Sequence, residues 1–527
     1  MKFFISNKTE TGKKFGKWNY FADKKCKIIT HGSTLYIYFG YLIQGDLESS
    51  IIDNFDKLIH ANGSFTVARI SAHRVDVVVD YFARYKVFAH QKDDLIEITN
   101  NFGLLSLTSQ DIDIKEAGKR LAVPKEYINR PHLTGEAVES WTQYHNENIK
   151  QADINEWESA CSRTIFKNVY MLEPCMQLCA TDRIFKIRIA NYFNDVSNAL
   201  KEKSKFSNIK ELEDYMHESM TMHSNIIKNQ YKDIHCTVSE GIDSVLQTMY
   251  FNDYKKSMYR FIPETVPGKY KEKVLKHFKN IYVEDFYLDK INDYCVKYSR
   301  DPSCYDFDIL PTYCTIKNLD PAPDIIMYGA GGDEMMLHRS RAIQSQVFQM
   351  LWDENKNDIL KRYNDYLNSH QHTYSAKRNI LGTVGFQTLE EQYSSLEWEK
   401  YPDSCLKFLS NFHTFPNDFR DISLPKKATM GLYCRQISSE CNTEITSLYC
   451  DFKIFFEVMK LPLKTRVEST IDVGIQKNIL KRHWNFNFET PHKDGAAFNT
   501  FKAITPYYRS SIAYVLKDNL RDLLPKA

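Results

Sequence analysis

Between Lys2 and about Arg183 the apolar residues come in short bursts of β-favouring types. "TLYIYFGYLI" (Thr34–Ile43), "GSFTVARI" (Gly63–Ile70) and "RVDVVVDYF" (Arg74–Phe82) are rich in Val, Ile, Tyr and Phe. Polar and glycine-containing turns separate them, which predicts a layered antiparallel sheet. "ESSIIDNFDKLIHA" (Glu48–Ala61) predicts one amphipathic helix between strands. The stretch Val123–Trp157 is polar and carries Pro124 and Pro131, so it predicts a connection with helical pieces.

From about Asn191 the period changes. Leu212, Tyr215, Met216 and Met220 predict a helix over Asn208–Gln230. An apolar run at Cys236–Val238 follows, and then Ile242, Val245, Leu246 and Met249 fall on one helical face. Ser257–Ile262, Asn280–Phe286 and Asp324–Ala330 read as further short buried strands, with a helix over Lys269–Phe278 between them. Such alternation predicts a parallel sheet covered on both faces. After Met335 the pattern reads as nearly all helical to the end.

Composition adds bounds rather than detail. With 527 residues the chain is long for one core and suits two domains. A formal net charge of +2 sets up no one-signed field, so neither nucleic acid nor a membrane surface is expected as a partner. The first residues hold only a short apolar run, and no stretch approaches a membrane span, which predicts a cytoplasmic protein. The twelve cysteines are then expected as thiols. Cys175 and Cys179 are the closest pair, but no second pair or histidine cluster joins them as a zinc site.

The chemistry concentrates at two junctions. "HCTVSEGIDSVLQTMY" (His235–Tyr250) ends a strand on Ser239, turns at Gly241, and opens a helix with Asp243 and Ser244. A helix start offers unsatisfied N–H groups and partial positive charge to an anion. Ser239 and Ser244 could donate to phosphate oxygens. Asp243 would repel phosphate unless a Mg²⁺ lay between them, and Mg²⁺ commonly takes one or two carboxylates plus substrate phosphates. Taken alone, Ser and Asp here are ordinary caps. "DIIMYGAGGDEMM" (Asp324–Met336) repeats the design: a strand, Gly329-Ala330-Gly331-Gly332, then Asp333 and Glu334. In a parallel sheet both loops would sit at strand carboxyl ends, where ligands bind. Asp243 and Asp333 could then share one Mg²⁺ on a polyphosphate.

These two signatures, Ser239-Glu240-Gly241-Ile242-Asp243-Ser244 and Gly329-Ala330-Gly331-Gly332-Asp333-Glu334, resemble those of the asparagine synthetase family, which includes β-lactam synthetases and lasso-peptide cyclases. "GSFTVARISAHRVDVVVD" is similar to the family's first-domain strand pair, and "RTIFKNVYMLEPCMQL" (Arg163–Leu178) to the segment joining its domains. "EITSLYCD" (Glu444–Asp451), "QKNILKRHW" (Gln476–Trp484) and "ETPHKDGAAF" (Glu489–Phe498) resemble its later motifs. The resemblance implies an α+β, Ntn-hydrolase-like, glutamine amidotransferase-like sandwich over 1–185. It implies a doubly wound α/β ATP-pyrophosphatase domain with a helical C-terminal part over 186–527.

What the resemblance implies in function is carboxylate activation. A small-molecule or peptide carboxylate attacks the α-phosphate of ATP, and ammonia or an amine then takes the acyl group. Ser239, Gly241, Ser244, Gly329 and Gly331 would hold the nucleotide, Asp243 and Asp333 the Mg²⁺. Lys493, with Asp333 and Glu334, would be catalytic. The reading leaves room for a homodimer.

The chain also departs from the family. Lys2 stands where the glutaminase has its cysteine, and "FGYLIQ" (Phe39–Gln44) lacks the oxyanion-hole asparagine, which predicts a first domain without glutaminase activity. Cys26 is expected as the one cysteine in its β-rich core, and an internal one. Glu240 replaces Gly in the first signature, where a carboxylate facing pyrophosphate would weaken or abolish ATP use, and Ala330 replaces Glu in the second; Thr446 and Leu448 replace Arg and Pro in the third, so the acyl substrate need not be aspartate. Intramolecular ring closure and an inactive scaffold are the alternative readings.

Overall fold

The computed structural model describes residues 1–10, 12–85, 87–107, 111, 168–172, 176–189, 202–239, 241–252, 256–261, 274–278, 281–285, 319, 322–329, 331–332, 443–461 and 474–488. The expected connection at Val123–Trp157 and the first half of the helix at Lys269–Phe278 lie outside them. Elements are numbered in chain order among the described residues.

The first part is built from two six-stranded antiparallel sheets. One contains β1 (Phe3–Ser6), β2 (Lys13–Phe15), β3 (Trp18–Ala22), β8 (Phe88–Lys92), β9 (Leu95–Thr99) and β10 (Val169–Met171), in the order β10-β8-β9-β1-β3-β2. The other contains β4 (Lys27–His31), β5 (Thr34–Leu42), β6 (Gly63–Ile70), β7 (Arg74–Val79), β11 (Met176–Thr181) and β12 (Phe185–Ile189), in the order β12-β11-β7-β6-β5-β4. The expected division at 185/186 therefore crosses β12.

The two-residue period of a strand explains why β5 reads as one apolar run. Leu35, Ile37 and Phe39 face the other sheet and pack with Phe3, Ile5, Ile96 and Ile98. Tyr36 and Tyr38 point the other way, into a second layer with Leu47, Ile51, Phe55 and Leu58. A sheet buried on both faces has no polar side to show. Gly40 in β5 has φ +98°, and a Cβ there would meet the Ser64 carbonyl oxygen at 1.9 Å.

The outer layer corrects one expectation. The predicted single helix over Glu48–Ala61 is an α-helix, α1 (Leu47–Asn54), followed by a 3-10 helix (Phe55–His60). Asp46 caps α1 by accepting from the Ser49 amide at 2.8 Å. The tighter second helix buries Phe55, Leu58 and Ile59 together, and that packing decides the local geometry over helical propensity.

The second part is α/β. It comprises α2 (Ile209–Gln230), β13 (Ile234–Val238), α3 (Ile242–Met249), β14 (Lys256–Phe261), β15 (Ile281–Asp285), β16 (Ile325–Met327), β17 (Glu444–Thr446), α4 (Phe452–Met459) and α5 (Gly474–Trp484). The five strands are all parallel, in the order β15-β14-β13-β16-β17. From β13 the chain moves outward through β14 to β15, then returns to the other side of β13 with β16. The connections leaving β13 and β16 thus run in opposite directions, which makes the cleft between their carboxyl ends the topological switch point.

β17 is a strand within the stretch expected to be nearly all helical after Met335, of which only 443–461 and 474–488 are described. Its three residues, Glu444, Ile445 and Thr446, alternate polar and apolar, but a single alternation is too short to mark a strand in the sequence. Pairing with β16 and complete burial make the strand.

The parts share a core. Tyr41, Ile43, Tyr81 and Phe82 pack in one cluster with residues of α2, β13, α3, α4 and α5. Among the described residues no helix is long and apolar enough to cross a membrane, and Cys26, Cys179, Cys236 and Cys450 are free thiols. Cys179 lies in β11, so Cys26 is not the one cysteine of the β-rich core.

Candidate nucleotide site

β13 delivers the chain to Ser239, and α3 begins three residues later with Gly241 at its cap position. Gly241 has φ −78° and ψ 139°, an extended conformation open to any residue, and supplies no side-chain cap. The loop is closed by its serines. Ser239 and Ser244 hydroxyls lie 2.9 Å apart, Ser244 Oγ accepts from the Ser239 amide at 2.9 Å, and Ser239 Oγ accepts from the Gly241 amide at 3.1 Å. Asp243 and Ser244 thus occupy the first turn of α3, as the sequence predicts.

β16 ends beside this turn. The Tyr328 amide donates to the Thr446 carbonyl at 2.8 Å, which carries the β16–β17 register one residue further. The loop then crosses the mouth of α3 at van der Waals distance. A Cβ on Gly329 would lie 2.3 Å from Ser244 Cα and 2.6 Å from its nitrogen. A Cβ on Gly332 would lie 2.2 Å from Oδ1 of Asp243. Gly331 between them has φ +100°, a left-handed backbone that favours glycine. The two glycine-bearing loops therefore meet: Gly329 covers Ser244 and Gly332 covers the Asp243 carboxylate. Glu240, Ala330, Asp333, Glu334 and Lys493 lie outside the described residues.

Two further contacts hold Asp243, and the sequence reading missed both. Tyr449, fully buried, donates its hydroxyl to the Asp243 carbonyl at 3.0 Å. Gln476 of α5 donates Nε2 to Asp243 Oδ1 at 3.2 Å. Nearby, the Leu448 amide donates to Gln247 Oε1 at 2.8 Å, tying the loop after β17 to the next turn of α3. These partners stand more than 200 positions from Asp243, so no local pattern announces them.

Behind the site, a buried polar seam joins β17 to the first part. Arg84, fully buried, pairs with Asp80 at 3.3 Å and donates to Thr446 Oγ1 at 2.8 Å, to the Cys450 carbonyl at 2.9 Å and to the Gly63 carbonyl. Glu444 accepts from the hydroxyls of Tyr85 and Tyr231, and burial pushes its carboxyl above the ordinary range. Tyr41 hydroxyl and His223 Nε2 share a hydrogen bond at 2.7 Å. Burial, helped by the Arg84 charge, pushes the imidazole down to about 3, so it is neutral at physiological pH. Asp451 accepts from Asn62 at 2.8 Å and from Ser219 while capping α4 through the Lys453 amide at 2.9 Å.

In the first part, burial sets the chemistry of Cys26. Cys26 Sγ donates to the Lys2 carbonyl at 3.5 Å, and burial pushes the thiol up to about 12. A thiol so protonated is a poor nucleophile at neutral pH.

Comparison with known proteins returns no matching family model and no matching curated protein.

Proposed function

We propose that the chain is an ATP- and Mg²⁺-dependent, amide-forming ligase of the asparagine synthetase type, an Ntn-hydrolase-like sandwich joined to an ATP-pyrophosphatase domain. The observation that carries this reading is the meeting of two glycine-bearing loops at the switch point, Gly329 on Ser244 and Gly332 on Asp243. A simple capped helix does not need a second loop packed against its first turn.

The residues present suit a phosphate chain and a hard cation. The start of α3 points its partial positive charge at an incoming anion. Ser239 and Ser244 would exchange the bond between their hydroxyls for bonds to phosphate oxygens. The Asp243 carboxylate beside that anion calls for a cation between them, and Asp333 follows Gly332 directly in sequence as a second oxygen donor. Glycine at 332 lets the Asp243 carboxylate sit where a Cβ would otherwise lie. Mg²⁺, when bound, neutralises charge on the phosphates and makes pyrophosphate a better leaving group.

The chemistry then divides into two displacements. A substrate carboxylate oxygen forms a bond to the α-phosphorus, and the bond from that phosphorus to the bridging oxygen of pyrophosphate breaks. Ammonia or an amine next bonds to the acyl carbon, loses a proton, and displaces AMP. In this reading Lys493, with Asp333 and Glu334, would be catalytic, the lysine cation offsetting developing negative charge on the phosphates. The first domain serves as a scaffold without glutaminase activity, so the nitrogen comes from free ammonia or an amine.

The test is product analysis. The protein with Mg·ATP, ammonium and a panel of carboxylates is expected to release AMP and pyrophosphate in equal amounts. Release of ADP and phosphate instead would rule out the proposed chemistry.

A further inference from the structure

α5 presents Ile475, Gln476, Ile479 and Leu480 to the interior. Three are aliphatic and pack in the shared core. The fourth is an amide, only 2% exposed, on a stripe where the pattern calls for an apolar side chain. Burying an amide costs free energy unless it finds a partner. Its partner is Asp243: Nε2 donates to Oδ1 at 3.2 Å.

The rest of α5 fixes where that amide lies. Asn478 Nδ2 and Arg482 Nη1 donate to the two oxygens of Glu213 in α2, at 2.7 and 2.8 Å. Glu213 is itself buried, so the anchor is a sheltered one. Arg482 also pairs with Asp214, and His483 stacks on His217 with ring centroids 3.5 Å apart. A helix held at its far end by charge and ring stacking holds its first turn against α3.

The geometry points to Gln476 as a positioning residue that orients the Asp243 carboxylate toward the Mg²⁺ of the proposed nucleotide site. This rests on the reading above. The aspartate side chain turns about two bonds, and a donor on Oδ1 selects one setting. An amide does so without adding charge, so the carboxylate keeps its full negative charge for the cation. A lysine or arginine there would compete with the metal for it. A carboxylate has about four lone-pair sites, so the hydrogen bond from Gln476 does not by itself block a cation. Partners of this kind, which hold a metal ligand without touching the metal, are worth about 10- to 100-fold in metal affinity.

The experiment uses the full chain with Mn²⁺ as the metal probe, read by electron paramagnetic resonance in the presence and absence of ATP. Gln476→Met removes the donor at nearly constant volume. Gln476→Asn keeps an amide that stops one methylene short of Oδ1, and carries the test should the Met variant not fold. The expected result is a 10- to 100-fold weaker Mn²⁺·ATP complex in either variant with metal-free ATP binding unchanged, and a lower melting temperature in the Asn variant, whose shortened amide is buried without its partner. Wild-type affinity for Mn²⁺·ATP in a folded variant would overturn the inference alone. So would an equal loss of metal-free ATP binding, because that marks a role in holding the site together. Failure of the wild-type protein to bind Mn²⁺·ATP would overturn the nucleotide reading, and this inference with it.

Discussion

Gly332→Ala puts the geometry of the site under direct strain. A Cβ at this position would lie 2.2 Å from Asp243 Oδ1, 2.3 Å from Cγ and 2.7 Å from Oδ2. Ordinary carbon contacts begin near 3.5 Å, so the two groups must separate by about 1 Å. These three atoms are the end of a short side chain, and rotation of Asp243 relieves the clash at small cost to the fold. That rotation breaks the 3.2 Å bond from Gln476 and turns the carboxylate out of the cleft. A displacement of about 1 Å at a reacting site costs about 100-fold in rate. The variant is therefore expected to keep its melting temperature within a few degrees while its Mg·ATP-dependent pyrophosphate release falls about 100-fold. Gly329→Ala is the control, because its Cβ meets Ser244 Cα at 2.3 Å and backbone cannot rotate away. It should lower the melting temperature as well as activity. Full pyrophosphate release by Gly332→Ala would refute the reasoning, since the carboxylate's position would then not matter.

Three further outcomes follow from the seam and from the contact between α2 and α5. Burial raises the Glu444 carboxyl, so its contribution to stability is full below the unfolded value of about 4.3 and is lost as pH rises through the folded value. Glu444→Gln should therefore gain stability relative to wild type between pH 4 and neutrality in thermal melts, and a pH-independent difference would contradict this. Burial and the neighbouring His483 push His217 down to about 4, so its contribution is present above the unfolded value of about 6.5 and lost as pH falls toward 4. His217→Phe should flatten the acid limb of the stability curve. Asp451→Ala removes the cap of α4 and leaves the Asn62 amide and the Ser219 hydroxyl short of an acceptor. Urea unfolding should register a loss of about 2–4 kcal/mol, and a loss under about 1 kcal/mol would show that water replaces the carboxylate.

Local periodicity carried much of this architecture. The β5, β6 and β7 runs, the apolar face of α3 and the strand at β13 are all readable because each buries a face whose period survives in sequence. The failures share a cause: tertiary contacts overrode the local pattern. The 3-10 turn at Phe55–His60 is set by what it packs against, and β17 is a strand because β16 lies beside it. Arg84 in "DYFARYK" looks like a surface residue and is fully buried, since its partners at Thr446 and Cys450 are over 350 positions away. At the site, Ser239, Gly241, Asp243, Ser244, Gly329 and Gly331 were legible as turn and cap chemistry. Gln476 and Tyr449 were not, because an amide and a phenol carry no signature until a fold brings them to an aspartate.

The claim on which the account turns is that Asp243 and Asp333, ninety residues apart, serve one cation on one triphosphate. A double-mutant cycle of Mn²⁺·ATP binding with Asp243→Asn, Asp333→Asn and the pair measures this directly. One shared ion predicts that either single change removes most of the metal-dependent affinity and that the double variant loses little more. Losses that add in full across the two positions, or a wild-type chain that binds ATP no better with metal than without, would contradict it.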